Sequence, residues 1–540
     1  MPTIADKKFS LPFLSGALLF LCALVFYYFS VLRVDYRRSA LFNLKPGPDA
    51  TEYFAQAVAM SRGERPSIRI GYERLPSAFP PGYSALIVPW LKILPRKDAV
   101  LAPFRTNQAL GLLLLCVVFG FYLYLSMPVA GGIATVLLAT LPGFFAFSRS
   151  SLSDVSAWLL YALAFIFAYL GLKEERRWKI YVSAAFLGLS MNLRLQSVFF
   201  VPLLIAMPLM PIRQQYGRWF FHCCAAGFVF LVGGSPFLVL NAIEFGSPLK
   251  IGGNFWYPAR QLFSIRYIPQ SNAAMFCQEF ALRLHDFKAV DIFGTGTVFV
   301  AAFVLLICIG FFFVPFNRAV LCILITNLVF TAGTAAYLYP DGRYYLQLLI
   351  LLIPVAVLPV IWAIRNLLLP RRFLLSLGIL ILFIAACLGY PSRGNYKGAK
   401  RNRFQAWEAV HYSRYYTWRS SPFWFLPEEK FAMLCGHDPG LVLSDIDPVY
   451  LNALLPAQFA AVPVDDNQLR RWSPKWHYDK ERAKTMIRQS LLGSIPVYAL
   501  FISRAEMKAQ ISRLPAIEGY HWVETHASDH DVILKLLPVS

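Results

Sequence analysis

Charge is scarce in this chain. Only 15% of its 540 residues are Asp, Glu, Lys or Arg, and just 30 are acids. Up to residue 390 the long apolar runs carry almost no carboxylates. That poverty excludes a soluble enzyme, whose surface needs charge throughout. It also argues against a transporter or flippase of lipid-linked sugars, which would bury charges midway through its spans. No nucleic-acid-binding motif occurs. The net charge of +21 therefore points to anionic lipid head groups and phosphorylated lipids as partners, and not to DNA or RNA.

Cysteine is present without a pattern. Nine occur, and none follows a metal-ligand spacing. Cys22, Cys116, Cys223, Cys224, Cys308, Cys322 and Cys387 lie in apolar runs and read as small hydrophobes. Cys277 and Cys435 fall in polar segments placed outside the membrane, where a bridge and two free thiols are both open. No Asn-x-Ser/Thr sequon exists, which fits a bacterial protein. The first apolar run reaches about residue 32 with no small-residue cleavage site. It reads as a retained span rather than a removed signal peptide.

What abounds is hydrophobicity: 57% of the residues, with a mean hydropathy of +0.51. Backbone amides in lipid must be satisfied internally, so the apolar runs are helices. About eleven transmembrane helices are expected, near residues 10–32, 106–126, 128–147, 153–172, 180–193, 196–210, 219–241, 297–315, 319–338, 346–363 and 373–390. With the N-terminus in the cytoplasm, the short inside segments hold twelve Lys/Arg and the short outside turns hold three. That margin satisfies the positive-inside rule and leaves the C-terminus outside. The expected fold class is a polytopic α-helical membrane protein of a bacterial inner membrane, with a transmembrane domain over 1–390. A large first outside loop covers 33–105, a later one 242–296. Residues 391–540 form a soluble α/β domain, with strand-like runs at "GLVLSD", "FAAVPV", "IPVYALFIS" and "DVILKLLP". Its connector, "NYKGAKRNRFQAWEAVHYSRYYTW", suits the head-group interface. The histidines of this domain do not cluster, and "HASDH" (526–530) reads as a solvated loop rather than a metal site.

The first outside loop carries a net charge of +6, in a set order. "PDATEYFAQAVAM" predicts a short helix headed by Asp49 and Glu52. Arg62, Arg65, Arg69 and Arg74 follow, then the turn "FPPGY" with Tyr83, then an apolar stretch suited to the membrane surface. Acid first and base later, beside lipid, is what a phosphate-linked lipid substrate requires. A carboxylate takes a proton from the attacking group, and cations hold the departing phosphate. A plainer reading stands beside it: "DATE" before an apolar run is a capping box, with Asp49 as N-cap and Glu52 reaching back. Tyr83 is expected to pack on lipid or sugar.

"PDATEYFAQAVAMSRGE", "FPPGYSALIVPWL", "SRSSLSD" and "YPDGRYYLQLLILLIP", in that order, resemble the GT-C glycosyltransferases. The likeness is nearest to their protein O-mannosyltransferase and aminoarabinose-transferase branch, and it covers most of residues 10–390. Family members transfer a sugar from a polyprenyl-phosphate carrier to an acceptor on the outer face of the membrane. The resemblance implies the GT-C fold and an inverting transfer, with Asp49 as general base. Many relatives have two adjacent acids there, whereas here Ala50 follows Asp49 and the next acid is Glu52, so Asp49 is the sole candidate by position and a supporting role for Glu52 stays open. It also implies that Arg343 holds the donor phosphate; an anchoring role among Tyr344 and Tyr345 is the alternative. Asp154 is either a helix N-cap, with Ser153 competing, or a residue near the base or acceptor. Arg194, between two short spans, reads as a snorkelling side chain before a cavity-facing one. Arg74 is a further candidate for phosphate. The expected partners are a polyprenyl-phosphate-linked sugar donor, membrane lipid, and a glycan, lipid or protein acceptor. No cofactor is expected. Some members use a divalent metal, but no ligand cluster stands out. A non-catalytic sugar-lipid-binding protein on the same fold is the remaining rival.

Overall fold

The structure, a computed structural model, describes residues 11–33, 48–200, 216–253, 263–267, 296–337, 346–367, 438–464 and 480–539, apart from short breaks within these ranges. Helices occupy most of the expected spans: α1 (Leu11–Tyr27), α4 (Ala102–Tyr124), α5 (Pro128–Thr140), α6 (Asp154–Lys173), α7 (Arg177–Met191), α8 (Tyr216–Phe245), α9 (Gly296–Phe313), α10 (Arg318–Ala335) and α11 (Leu346–Leu367). Among the described residues, three helices are long and apolar enough to cross a membrane: Asp98–Tyr124, Asp154–Lys173 and Gly217–Phe245. α1 and α5 are apolar but shorter. The segment expected at 196–210 begins as a short 3-10 turn, Leu195–Phe200. The rest of it lies outside the described residues, as do the span at 373–390, the connector, Cys277 and Cys435.

Contacts divide the chain into two compact units. The first holds residues 1–42, 104–236 and 261–417; the second holds 43–103, 237–260 and 418–540. The first outside loop thus shares a unit with the C-terminal residues.

In the first unit α1 lies against α5, α6 against α7, and α9 against α11. The α1–α5 crossing is close because small residues make it so. A Cβ on Gly16 would sit 2.3 Å from the carbonyl oxygen of Pro128, and one on Gly132 would sit 2.7 Å from that of Gly16. Backbones that near each other exchange dispersion contacts that larger side chains would prevent. The opposite stripe of α1 (Leu11, Leu14, Leu18, Leu21 and Val25) is exposed and wholly apolar. Water would penalise such a stripe, and lipid does not.

The second unit is built on a five-stranded sheet, ordered β4-β3-β5-β7-β6. Its strands are β3 (Leu441–Ser444), β4 (Ala460–Pro463), β5 (Val497–Phe501), β6 (Tyr520–Ala527) and β7 (Val532–Pro538). The first three run parallel and the last two pair antiparallel. Two helices link the parallel strands: α12 (Pro448–Leu454) and α13 (Lys480–Leu492). All four expected strand runs are strands; β6 joins them, and it holds His526 of "HASDH". Alternate residues face two cores. Val442, Tyr498 and Ile533 line one. Leu441, Leu443, Val497 and Leu534 line the other, which Phe54, Ile68 and Ile70 of the first loop complete. Those three belong to α2 (Pro48–Ser61) and to β1 (Ile68–Ile70), which pairs with β2 (Glu73–Leu75) as a hairpin. At its turn Gly71 has φ +59, and its N–H donates to Ala461 O at 2.8 Å. A Cβ there would meet Met486 at 2.8 Å and Val462 at 3.0 Å. Only glycine tolerates both the left-handed backbone and that approach.

Candidate functional site

Helix α2 positions the acids. Pro48 opens it, a residue suited to the first helical position because its missing N–H would have no partner there. Asp49 lies in the first turn, half-buried, where the helix dipole favours a negative group. Glu52 is three residues on and Gln56 four more, so the three line one stripe of the helix.

Glu52 is almost completely buried, at 1% exposure. Its Oε2 accepts from Ser77 Oγ at 2.5 Å and from the Ala78 N–H at 2.7 Å. It does not act as the back-reaching partner of a capping box: its hydrogen bonds go to a loop some 25 residues away. Gln56 reinforces that loop, donating to Ser77 Oγ at 2.6 Å and to Phe79 O at 3.3 Å. Burial pushes the Glu52 carboxyl up to about 8, with Asp49 and Asp447 adding repulsion; the bonds from Ser77 and Ala78 pull the other way and lose. Asp447 itself caps α12, accepting from Val449 N at 2.9 Å and Tyr450 N at 3.4 Å. Near neutral pH Glu52 therefore holds a proton, which lowers the negative charge around Asp49.

Tyr83 is the second residue of α3 (Gly82–Ile93), just after the Pro80-Pro81 turn. It is fully buried, its hydroxyl donates to Pro103 O at 3.0 Å, and its ring meets Tyr53 edge-on at 5.1 Å. No face is left for a lipid or sugar, so Tyr83 is a packing residue, contrary to the sequence expectation. Arg74, in β2, is exposed and ion-paired with Glu64 at 3.0 Å. It lines a cavity with Arg62 and Arg69.

The remaining candidates belong to the first unit. Asp154 is the first residue of α6, fully buried, and its Oδ1 lies 2.6 Å from Arg194 Nη1. Ser153 occupies the N-cap, with no side-chain bond to the helix, so Asp154 serves a partner rather than the helix end. Arg194 is 8% exposed at its side chain. It does not snorkel; desolvation forces it onto a carboxylate. Around the pair, Asn107 donates to Ser150 O at 2.9 Å and Leu152 O at 2.7 Å, fixing the turn before α6. Ser197 donates to Arg194 O at 2.6 Å and bonds the Tyr161 hydroxyl at 2.9 Å. Arg343 lies outside the described residues. Among the described residues no three His, Cys, Asp or Glu side chains are grouped to hold a metal ion.

Sequence reasoning missed Ser77, Gln56 and Asp447. Gln56 was legible as the i+4 neighbour of Glu52. Ser77 and Asp447 were not, because their partnership with Glu52 is created only by tertiary contact.

No protein-family model matches the chain, and no curated protein matches it significantly. Solved structures do. ArnT from Cupriavidus metallidurans bound to undecaprenyl phosphate is 13% identical, with a TM-score of 0.57 over 96% of this chain and 97% of that one. Its apo form gives 0.55 over the same shares. The oligosaccharyltransferase of Archaeoglobus fulgidus in complex with Zn and sulfate is 13% identical, with a TM-score of 0.52 over 95% of this chain and 72% of that one. The chain has the fold of these proteins, the GT-C fold.

Proposed function

We propose that this chain, having the fold of ArnT and of an archaeal oligosaccharyltransferase, is a multi-pass membrane glycosyltransferase. It moves a sugar from a polyprenyl-phosphate carrier to an acceptor at the outer face of a bacterial inner membrane. The observation that carries the reading is the end-to-end likeness to a protein bound to undecaprenyl phosphate, over 96% of one chain and 97% of the other.

In this reading Asp49 is the general base. The acceptor's O–H or N–H proton passes to its carboxylate as the acceptor atom bonds to the anomeric carbon. The bond from that carbon to the carrier's phosphate oxygen breaks on the opposite side, so configuration inverts and polyprenyl phosphate leaves with the electron pair. Glu52, protonated near neutral pH, supports the base by withholding a second negative charge. Arg343 meets the phosphate's growing charge. A cation at contact distance is worth about 4 kcal/mol at an effective dielectric near 20, comparable to a base effect of about 10²–10⁴ in rate. Asp154 and Arg194 hold the second outside turn through their ion pair, as positioning residues.

The test incubates the purified protein with a panel of polyprenyl-phosphate sugars and follows sugar release and transfer. Asp49→Asn is expected to lower turnover by about 10²–10⁴ while donor binding and thermal stability persist. Normal turnover in that variant would overturn the base assignment. Uphill solute movement in liposomes with no glycosyl transfer would overturn the enzyme reading.

A further inference from the structure

The second unit holds a cavity of about 220 Å³ that the mechanism above does not use. Its wall takes Arg62 from the end of α2, Arg69 from β1 and Arg74 from β2, and Glu64 is the one carboxylate of its lining among the described residues. Glu64 is paired with Arg74, so the lining keeps an excess of positive charge. Arg69 is half-buried, and its Nε donates to Gly71 O at 3.0 Å, which fixes the direction of the guanidinium. Burial, and then repulsion from Arg74 and Arg62, push Arg69 below the ordinary arginine range. Like charges have been gathered where they cost stability, and an anion among them would repay that cost.

The cavity is also preformed. Asn452 of α12 is buried and donates to Arg69 O at 3.1 Å, Pro448 O at 2.7 Å and Ala461 O at 2.8 Å, while its Oδ1 accepts from Ala461 N at 2.7 Å. That single side chain locks the arginine-bearing strand to the sheet. Ala55 and Ala453 line the same space, and side chains that short leave room instead of filling it.

We propose that this cavity is a phosphate-binding site, in which Arg62, Arg69 and Arg74 receive a phosphate group borne by a soluble molecule or by a lipid head group. Planar guanidinium forks bind phosphate oxygens in pairs, which selects phosphate over smaller anions. The site is distinct from the Asp49–Glu52 stripe, and the inference does not rest on the transfer reading: a protein with no transferase activity would bind phosphate here all the same.

Full-length protein in detergent, titrated calorimetrically with inorganic phosphate, tests it. Wild type is expected to bind, and Arg69→Gln to weaken binding about tenfold or more, the loss of one charge-assisted bond. Arg62→Gln, a change at an exposed helix end, guards against misfolding as the cause and is expected to weaken binding as well. Arg488→Gln removes the same charge from the exposed face of α13, outside the cavity, and is expected to change nothing. Repeating the titration in phosphatidylcholine nanodiscs with and without phosphatidic acid separates the sources: competition by the lipid assigns the head group, and undisturbed phosphate binding assigns a soluble ligand. An equal loss in Arg488→Gln, or no binding of either phosphate or phosphatidic acid by wild type, overturns the proposal.

Discussion

A carboxyl group that keeps its proton near pH 7 leaves a mark on stability as well as on chemistry. Glu52 has an ordinary value of 4.5 and is raised to about 8 in the folded protein. Between those values the folded state binds the proton more tightly than the unfolded chain does. Glu52's contribution is therefore fully present below about 4.5 and is lost as pH rises through about 8. The slope is at most about 1.4 kcal/mol per pH unit. Glu52→Gln keeps a neutral acceptor for Ser77 and Ala78 but removes the titration. Thermal unfolding between pH 5 and pH 8.5 should show wild type losing stability with rising pH and the variant losing less, so that the variant's relative gain grows. A parallel pair of curves would mean that Glu52 ionises normally. In turnover, the same variant is expected to retain activity near neutral pH, in contrast to Asp49→Asn.

At the scale of elements, the packing of α1 on α5 depends on the absence of side chains. Adding even one methyl to Gly16 places it against the Pro128 carbonyl, and overpacking of this kind costs about 1–3 kcal/mol. Gly120 in α4 is the counterpart, since a Cβ there meets nothing within 4 Å. Thermal unfolding in detergent should place Gly16→Ala well below wild type and Gly120→Ala at or above it, alanine being the better helix former. Equal behaviour of the two variants would show that α1 and α5 do not approach so closely. The helices of this pair were legible in the sequence because an apolar run that long, with no acid, has one stable form in lipid. Their partnership was not legible, because glycines at 16 and 132 announce a close approach without saying to what. The strands of the C-terminal sheet were legible for a similar local reason: buried parallel strands need unbroken apolar runs such as "LVL" and "VYALF". β6 was missed because "YHWVETH" is an edge strand whose polar residues break both the unbroken apolar run of a buried strand and a clean alternation.

For the whole molecule, the distribution of Lys and Arg carries a prediction about orientation. With twelve in the short inside segments against three in the outside turns, a phosphatase reporter fused after residue 215 should stay inactive in the cytoplasm, and one fused after residue 540 should be active outside. The reverse pattern would put the acids of α2 on the face where the proposed carrier sugar is not displayed. The second unit adds its own constraint: the first loop and the C-terminal sheet share one core through Phe54, Ile68 and Ile70. Fragments that separate residues 43–103 from the sheet should therefore expose that core and aggregate.

Taken alone, the sequence determined the apolar spans, the acid-headed helix after the first of them, and the parallel strands near the end. Each rests on local pattern, where composition and periodicity act within a few turns of chain. The tertiary structure decided which groups meet: Glu52 with Ser77, Asp154 with Arg194, and Asn452 with a backbone carbonyl 383 residues away. Burial sets the charge state of a carboxyl and the cost of an unpaired guanidinium, and burial is a property of what the rest of the chain places around a residue.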